Sequence, residues 1–254
     1  MLSKNEFFKK LDKMFLNENL KSEIEFLKIN IKGEDPSENI SADILIKKLN
    51  LKKLNTVTDE DGYFKEFVNT IDSNEQDNQT EIFYLLKGKQ VSCLHILDTT
   101  ETWHWLAGKE ISIFIFKKQQ LEKITLNETN PCHTIEKGTL FGAKISNLVD
   151  DNDFSLVTCL CKPGFTSKLY SNSTLEELKI LKEKYPDYKS IIDELAPKKL
   201  KNPNTTESTS SEAPLSENPK NNCFFFFFSS LANYLGIKKS KKSNSLIIRP
   251  TNTR

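Results

Sequence analysis

Between Gly62 and Phe165 the chain is cut into eight short apolar runs, with no helical period between them. The runs are YFKEFV (63–68), EIFYLL (81–86), VSCLHIL (91–97), ETWHWL (101–106), EISIFIF (110–116), LEKITL (121–126), TLFGAKI (139–145) and FSLVTCL (154–160). Each has the length of a strand, and turn chemistry such as Lys87-Gly-Lys, Ala107-Gly-Lys and Asp150-Asp-Asn-Asp separates them. A parallel sheet would need crossovers of about a dozen residues or more, and no room is left for them. The expected fold is therefore all-β, an antiparallel barrel or jelly roll. The run EISIFIF is apolar on both faces, with Ile111, Ile113 and Ile115 on one and Phe114 and Phe116 on the other. It should be covered on both sides, by a second copy of the chain or by a helix from residues 1–30.

Helical patterns flank this region. Phe7, Phe8, Leu11, Phe15 and Leu20 return to one side of residues 1–30. The stretch after Ser41, ADILIKKLNL, reads as a short helix with Ser41 as its N-cap. Residues 173–195 are helical again: Thr174 and Glu177 form a capping-box pattern, and Pro186 splits the stretch in two. Beyond Ala196 the chain turns polar, and the segment 201–222 should be disordered. The predicted organisation is a helical extension (1–40), a β domain (41–195) and a tail (196–254).

Lys plus Arg is 36 and Asp plus Glu is 35, a net charge of +1 that gives no pull toward nucleic acid. Five cysteines at irregular spacings contain no CxxC, so neither a zinc knuckle nor a redox pair is indicated. Cys159 and Cys161 share one face of a strand and read as small apolar residues. The chain is read as cytoplasmic and reduced. The tail carries Phe224 to Phe228 and then Lys238, Lys239, Lys241 and Lys242. Residues 223–242 could contact a membrane surface, but docking of the phenylalanines into a groove and a functionless biased run are together preferred.

Chemistry-bearing residues gather in the third and fourth runs. His95 ends one, and Glu101, Trp103 and His104 open the next after a short turn. The chain has only three histidines, and two fall here. Imidazole and carboxylate serve as acid–base groups and as metal ligands. Against this stands the reading of His95 as a satisfied core polar residue and of Trp103 as core. A functional cavity at a barrel mouth is preferred.

SCLHILDTTETWHWLAG resembles the first cupin motif in the form used by the DUF985 family. Ser92, His95, Glu101, Trp103, His104 and Gly108 match in order and spacing, with Thr100 where the family has Asp. Glu60, Gly62, Tyr63 and Phe64 resemble the family's Pro-Glu-Gly-Gly-Tyr-Phe without its Pro and one Gly. Thr80-EIFYLL and Pro163-Gly164-Phe165 match further motifs, so the resemblance runs from about residue 41 to about 195.

The resemblance implies a small polar, sugar-like metabolite in the barrel and epimerase or isomerase chemistry. His95 or His104 would exchange a proton and Glu101 would orient the histidine. Tyr63 is a weaker acid candidate, and Tyr63, Glu60, Ser92, Trp103 and Phe141 would meet the ligand. The cofactor stays unknown. A divalent metal would find His95 and Glu101, but Leu97 and Phe141 stand where the superfamily supplies further histidines. Joint ligation by Glu101 and His104 would need a bulge, since on a regular strand they face opposite sides. The losses leave a non-catalytic binding or interaction module, tethered by its tail, as the alternative. The family resemblance also implies a homodimer. Light scattering is expected to give twice the 29.2 kDa chain mass; the mass of one chain would remove the dimer.

Overall fold

All eight apolar runs form strands, because β-branched and aromatic side chains alternate between two buried faces. The computed structural model describes residues 39–54, 60–71, 78–117 and 120–201, with Leu2, Ser3, Glu6 and Lys9. The rest of the predicted N-terminal helices and the Phe-rich tail lie outside the described residues. The strands are β1 (Leu2–Ser3), β2 (Asn39–Ile40), β3 (Lys52–Lys53), β4 (Tyr63–Asn69), β5 (Thr80–Lys87), β6 (Val91–Leu97) and β7 (Thr100–Gly108). They continue as β8 (Ile111–Phe116), β9 (Leu121–Leu126), β10 (Cys132–Ile135), β11 (Leu140–Ile145), β12 (Phe154–Lys162) and β13 (Tyr170–Asn172). The helices are α1 (Ala42–Lys48), α2 (Leu175–Lys184), α3 (Lys189–Glu194) and α4 (Lys198–Lys201).

Two antiparallel sheets face each other. One has the order β10-β7-β12-β5-β4-β3 and the other β13-β6-β11-β8-β9, while β1 pairs with β2 alone. Neither sheet closes on itself, so the architecture is a jelly roll of two open sheets. The short strands β10 and β13 fall outside the eight apolar runs, because four and three residues carry too little pattern.

The core divides along the sheet plane. Tyr84, Trp103, Trp105, Ile113, Phe141 and Val157 fill the space between the sheets. On the outer face of the first sheet Phe83, Leu85, Leu106 and Leu156 pack with Leu45 and Leu49 of α1 and its C-cap. Ser41 starts that helix by accepting the Ile44 N–H at 3.3 Å. The capping box at Thr174 and Glu177 forms as the sequence suggests, and Pro186 opens a 3₁₀ turn between α2 and α3.

Strand β8 is buried along its whole length. Its isoleucines point between the sheets. Phe116 on the other side meets the edge of Tyr185, with ring centres 5.5 Å apart. The Tyr185 hydroxyl also donates to the Lys117 carbonyl. This cover comes from the segment after β13, a source the sequence pattern did not reveal.

Gly108 ends β7 at φ +92°, and a Cβ there would stand 2.2 Å from the Phe154 carbonyl oxygen. Gly138 also has positive φ (+75°), but nothing lies within 4 Å of its added Cβ. Gly138→Ala should therefore cost about 1–2 kcal/mol from backbone strain alone. Gly108→Ala should cost clearly more, since a backbone atom must move as well. Urea unfolding of both variants measures the gap; equal losses would contradict the packing argument.

Candidate functional site

The site begins with an irregularity in β6. Phe141 pairs with His95, and Ala143 pairs with Ser92. Gly142 alone therefore faces both Cys93 and Leu94, which makes a bulge in β6. Without it Ser92 and His95, three residues apart, would point to opposite faces; with it both line the same cavity. A Cβ on Gly142 would come within 2.9 Å of the Ser92 carbonyl oxygen, so the bulge favours glycine opposite it.

The bulge takes its backbone out of the ladder, and each freed group finds a partner. The Cys93 N–H donates to Glu60 Oε2 at 2.9 Å. The Leu94 N–H donates to the Leu195 carbonyl at 2.7 Å, and the Ser173 N–H donates to the Leu94 carbonyl at 2.9 Å. The Cys93 carbonyl lies 2.7 Å from His95 Nδ1. Glu60 is brought in by a tight turn, with Gly62 at φ +93°. Asp61 fixes that turn through an ion pair with Lys198, and its carbonyl accepts the Tyr84 hydroxyl at 2.9 Å.

A cavity of about 240 Å³ lies between the sheets, with Glu60, Ser92, His95, Glu101, Trp103 and Tyr170 in its wall. No lysine or arginine lines it among the described residues. His95 is buried, with Nδ1 3.0 Å from Glu60 Oε1. Its ring stacks on Tyr170 at 5.1 Å and leans on Phe141 at 4.2 Å. Two oxygen acceptors at Nδ1 place a proton there, so Nε2 is the nitrogen left to meet a ligand. Burial alone would push the imidazole pKa down, but the Glu60 and Glu101 carboxylates outweigh it and hold it above the usual value.

Glu101 lies across the same cavity and accepts the Trp103 indole N–H at 2.7 Å. Burial pushes its carboxyl above the usual range; His95 and the Trp103 bond oppose that push without cancelling it. The Tyr170 hydroxyl lies 2.8 Å from Glu60 Oε1 and 2.6 Å from Asn172 Oδ1, so its one proton has two acceptors. Burial and the neighbouring carboxylate keep that phenol protonated.

Three residues singled out in the sequence stand elsewhere. His104 alternates with Glu101, Trp103 and Trp105 along β7 and so faces the outer side of the sheet. There its Nδ1 is buried without a hydrogen-bond partner among the described residues, and burial lowers its pKa. The bulge that joint action with Glu101 required does not occur between them. Tyr63 packs on the outer cluster under α1, while its neighbour Phe64 reaches the cavity. Phe141 is fully buried behind His95 rather than in the cavity wall. The group that touches His95 is Glu60 rather than the expected Glu101, and Tyr170 completes the cluster. Nothing local signals that pairing, because Glu60 and Cys93 are 33 residues apart and Tyr170 and Glu60 110 apart.

The donor set does not fit a resident metal. Nδ1 of His95 is engaged, one Glu101 oxygen holds an indole, and the Phe141 ring fills the position of a third ligand. Among the described residues no group of three or more His, Cys, Asp or Glu side chains is placed to hold an ion.

Residues 43–171 match the family described as Cupin superfamily (DUF985). The chain belongs to that family. A crystal structure of a protein from Shewanella oneidensis is 25% identical to this cupin, with a TM-score of 0.53 over 62% of this chain and 98% of the other. A hypothetical protein from Leishmania major is 25% identical, with a TM-score of 0.51 over 62% of this chain and 99% of the other. No curated protein matches. Among the described residues no helix is long and apolar enough to cross a membrane.

His95 and Glu101 both hold protons more tightly in the folded cupin than in the unfolded chain, so raising the pH costs stability. The Glu101 contribution fades from its ordinary value of 4.5 upward and the His95 contribution from 6.5 upward, each until the raised folded pKa is passed. The stability of wild type minus Glu101→Gln should therefore fall with pH across the lower window. Wild type minus His95→Gln should fall across the upper one. Denaturant unfolding at a series of pH values measures both; a difference that grows with pH would contradict the assignment.

Proposed function

We propose that this cupin binds a small metabolite between its sheets and moves a proton on it, in the manner of an isomerase or epimerase. The observation that carries the reading is the Glu60–His95 pair at the cavity wall. The pair holds the proton on Nδ1 and leaves Nε2 free to act on a ligand, as a general base requires. Glu60 steadies the imidazolium that forms when Nε2 takes a proton. Glu101, whose burial favours its protonated form, supplies a second proton-transfer group in the same cavity. Ser92 and Tyr170 offer hydroxyls that orient the ligand. His104, on the other face of β7, takes no part.

A specific observation favours a second reading, binding without turnover. Glu60 and His95 also bond the freed N–H and carbonyl of Cys93, so both have a structural task that needs no chemistry.

The two readings separate in heavy water. Small molecules released by acid from the purified full chain, identified by mass spectrometry, are returned to the protein in D₂O. Deuterium should enter one carbon position of the ligand with wild type and with His104→Gln, and with His95→Gln at a rate lower by about 100-fold or more. Binding with no deuterium uptake would leave the cupin as a ligand-binding module.

A further inference from the structure

The charge of the cavity wall selects among ligands. Three acidic side chains line it, Glu60, Glu66 and Glu101, and His95 is the only basic one among the described residues. His95 is committed to Glu60 at 3.0 Å. Glu60 is further satisfied by the Cys93 N–H and the Tyr170 hydroxyl. Glu101 has a different position. It is 8% exposed, its Oε2 holds the Trp103 indole N–H, and it also bonds the Cys159 thiol. The positive charge that acts on it is that of His95, which is already paired with Glu60. Two buried carboxylates thus share one imidazole, which is costly unless a proton or a further cation arrives at Glu101.

Aromatic rings make up much of the rest of the wall, beside aliphatic residues such as Leu54, Ile82 and Leu97. Tyr84 meets Trp103 edge to face at 5.8 Å, and Phe64, Phe165 and Tyr170 complete the apolar surround. Ring faces attract cations and pack flat apolar bodies. A phosphate or carboxylate ligand finds no lysine or arginine here and meets three acids. An uncharged sugar leaves Glu101 without the cationic partner that would let it ionise.

We infer that the ligand of this cavity is a small organic cation, an amine or amidine on a flat or apolar body, whose N–H groups pair with Glu101. The inference rests on the reading of the cavity as a ligand site and adds the substrate class. The cation sits against Glu101 while the body lies among Trp103, Tyr84 and Phe64. At about 240 Å³ the cavity takes a molecule below drug size.

Three probes of one shape and different charge test it on the full chain by titration calorimetry: benzamidine (cation), benzamide (neutral) and benzoate (anion). Benzamidine should bind about tenfold or more tightly than benzamide, as a charge-assisted hydrogen bond implies, and benzoate should bind least. Glu101→Gln, which keeps an oxygen for the Trp103 indole, should abolish the benzamidine advantage and spare benzamide. A second readout needs no variant. The chain has two tryptophans, and benzamidine should shift the Trp103 indole N–H signal more than that of Trp105, which is bonded to the Lys109 carbonyl. Equal binding of benzamidine and benzamide, preference for benzoate, or an unshifted Trp103 signal would overturn the cation assignment and leave the ligand site standing. No binding by any of the three would overturn the ligand site as well.

Discussion

Glu60 is the residue on which the arrangement of the cavity depends. One of its oxygens accepts the Cys93 N–H, and the other meets both the Tyr170 hydroxyl and His95 Nδ1. A bulge in a buried strand exposes an N–H and a carbonyl that water cannot reach, each costing about 1–3 kcal/mol if left unmade. A carboxylate can satisfy the N–H, but its own burial then demands a compensating charge. His95, turned inward by the same bulge, gives it an N–H donor, and a positive charge whenever Nε2 takes a proton. The structural task and the chemical one are joined in these two residues, so loss of Glu60 would free the bulge and the imidazole together.

The outer side of the bulge is held by a different part of the chain. Ser173 and Leu195 bond Leu94, Tyr185 covers Phe116, and Lys198 pairs with Asp61 beside Glu60. All four lie beyond residues 43–171, the stretch that matches the family. The matched stretch thus provides the cavity, while the segment after it fixes the strand that carries His95 and the turn that carries Glu60. That segment is helical for local reasons, a capping box and a proline. Its position comes from the apolar outer face of β8 and from the backbone groups that β6 cannot satisfy within its sheet.

Within the superfamily's usual plan a metal would gather the polar groups of the barrel. Here Leu97 and Phe141 stand where the superfamily supplies histidines, and Phe141 packs under the His95 ring. The attraction between Glu60 and His95 takes over the role of organising the interior. The consequence is a wall with two buried carboxylates and one imidazole, rich in aromatic surface and without lysine or arginine among the described residues.

By itself the sequence determined the eight longer strands, the two helix caps, the proline break and the family. These depend on local periodicity, on short-range hydrogen bonds and on motif spacing, all contained in stretches of a few residues. It also marked His95, Glu101, Trp103, Ser92 and Glu60. Only the tertiary structure decided which of them meet. Strict alternation sent His104 to the outer face of β7 although it stands three residues from Glu101. The bulge opposite Gly142 broke alternation in β6 and brought Ser92 and His95 to one side. Tyr170 carried no signal, because its place comes from a three-residue strand paired with β6. Facing is a property of register, and register is set by pairing between distant segments, so a sequence read along its length cannot assign it.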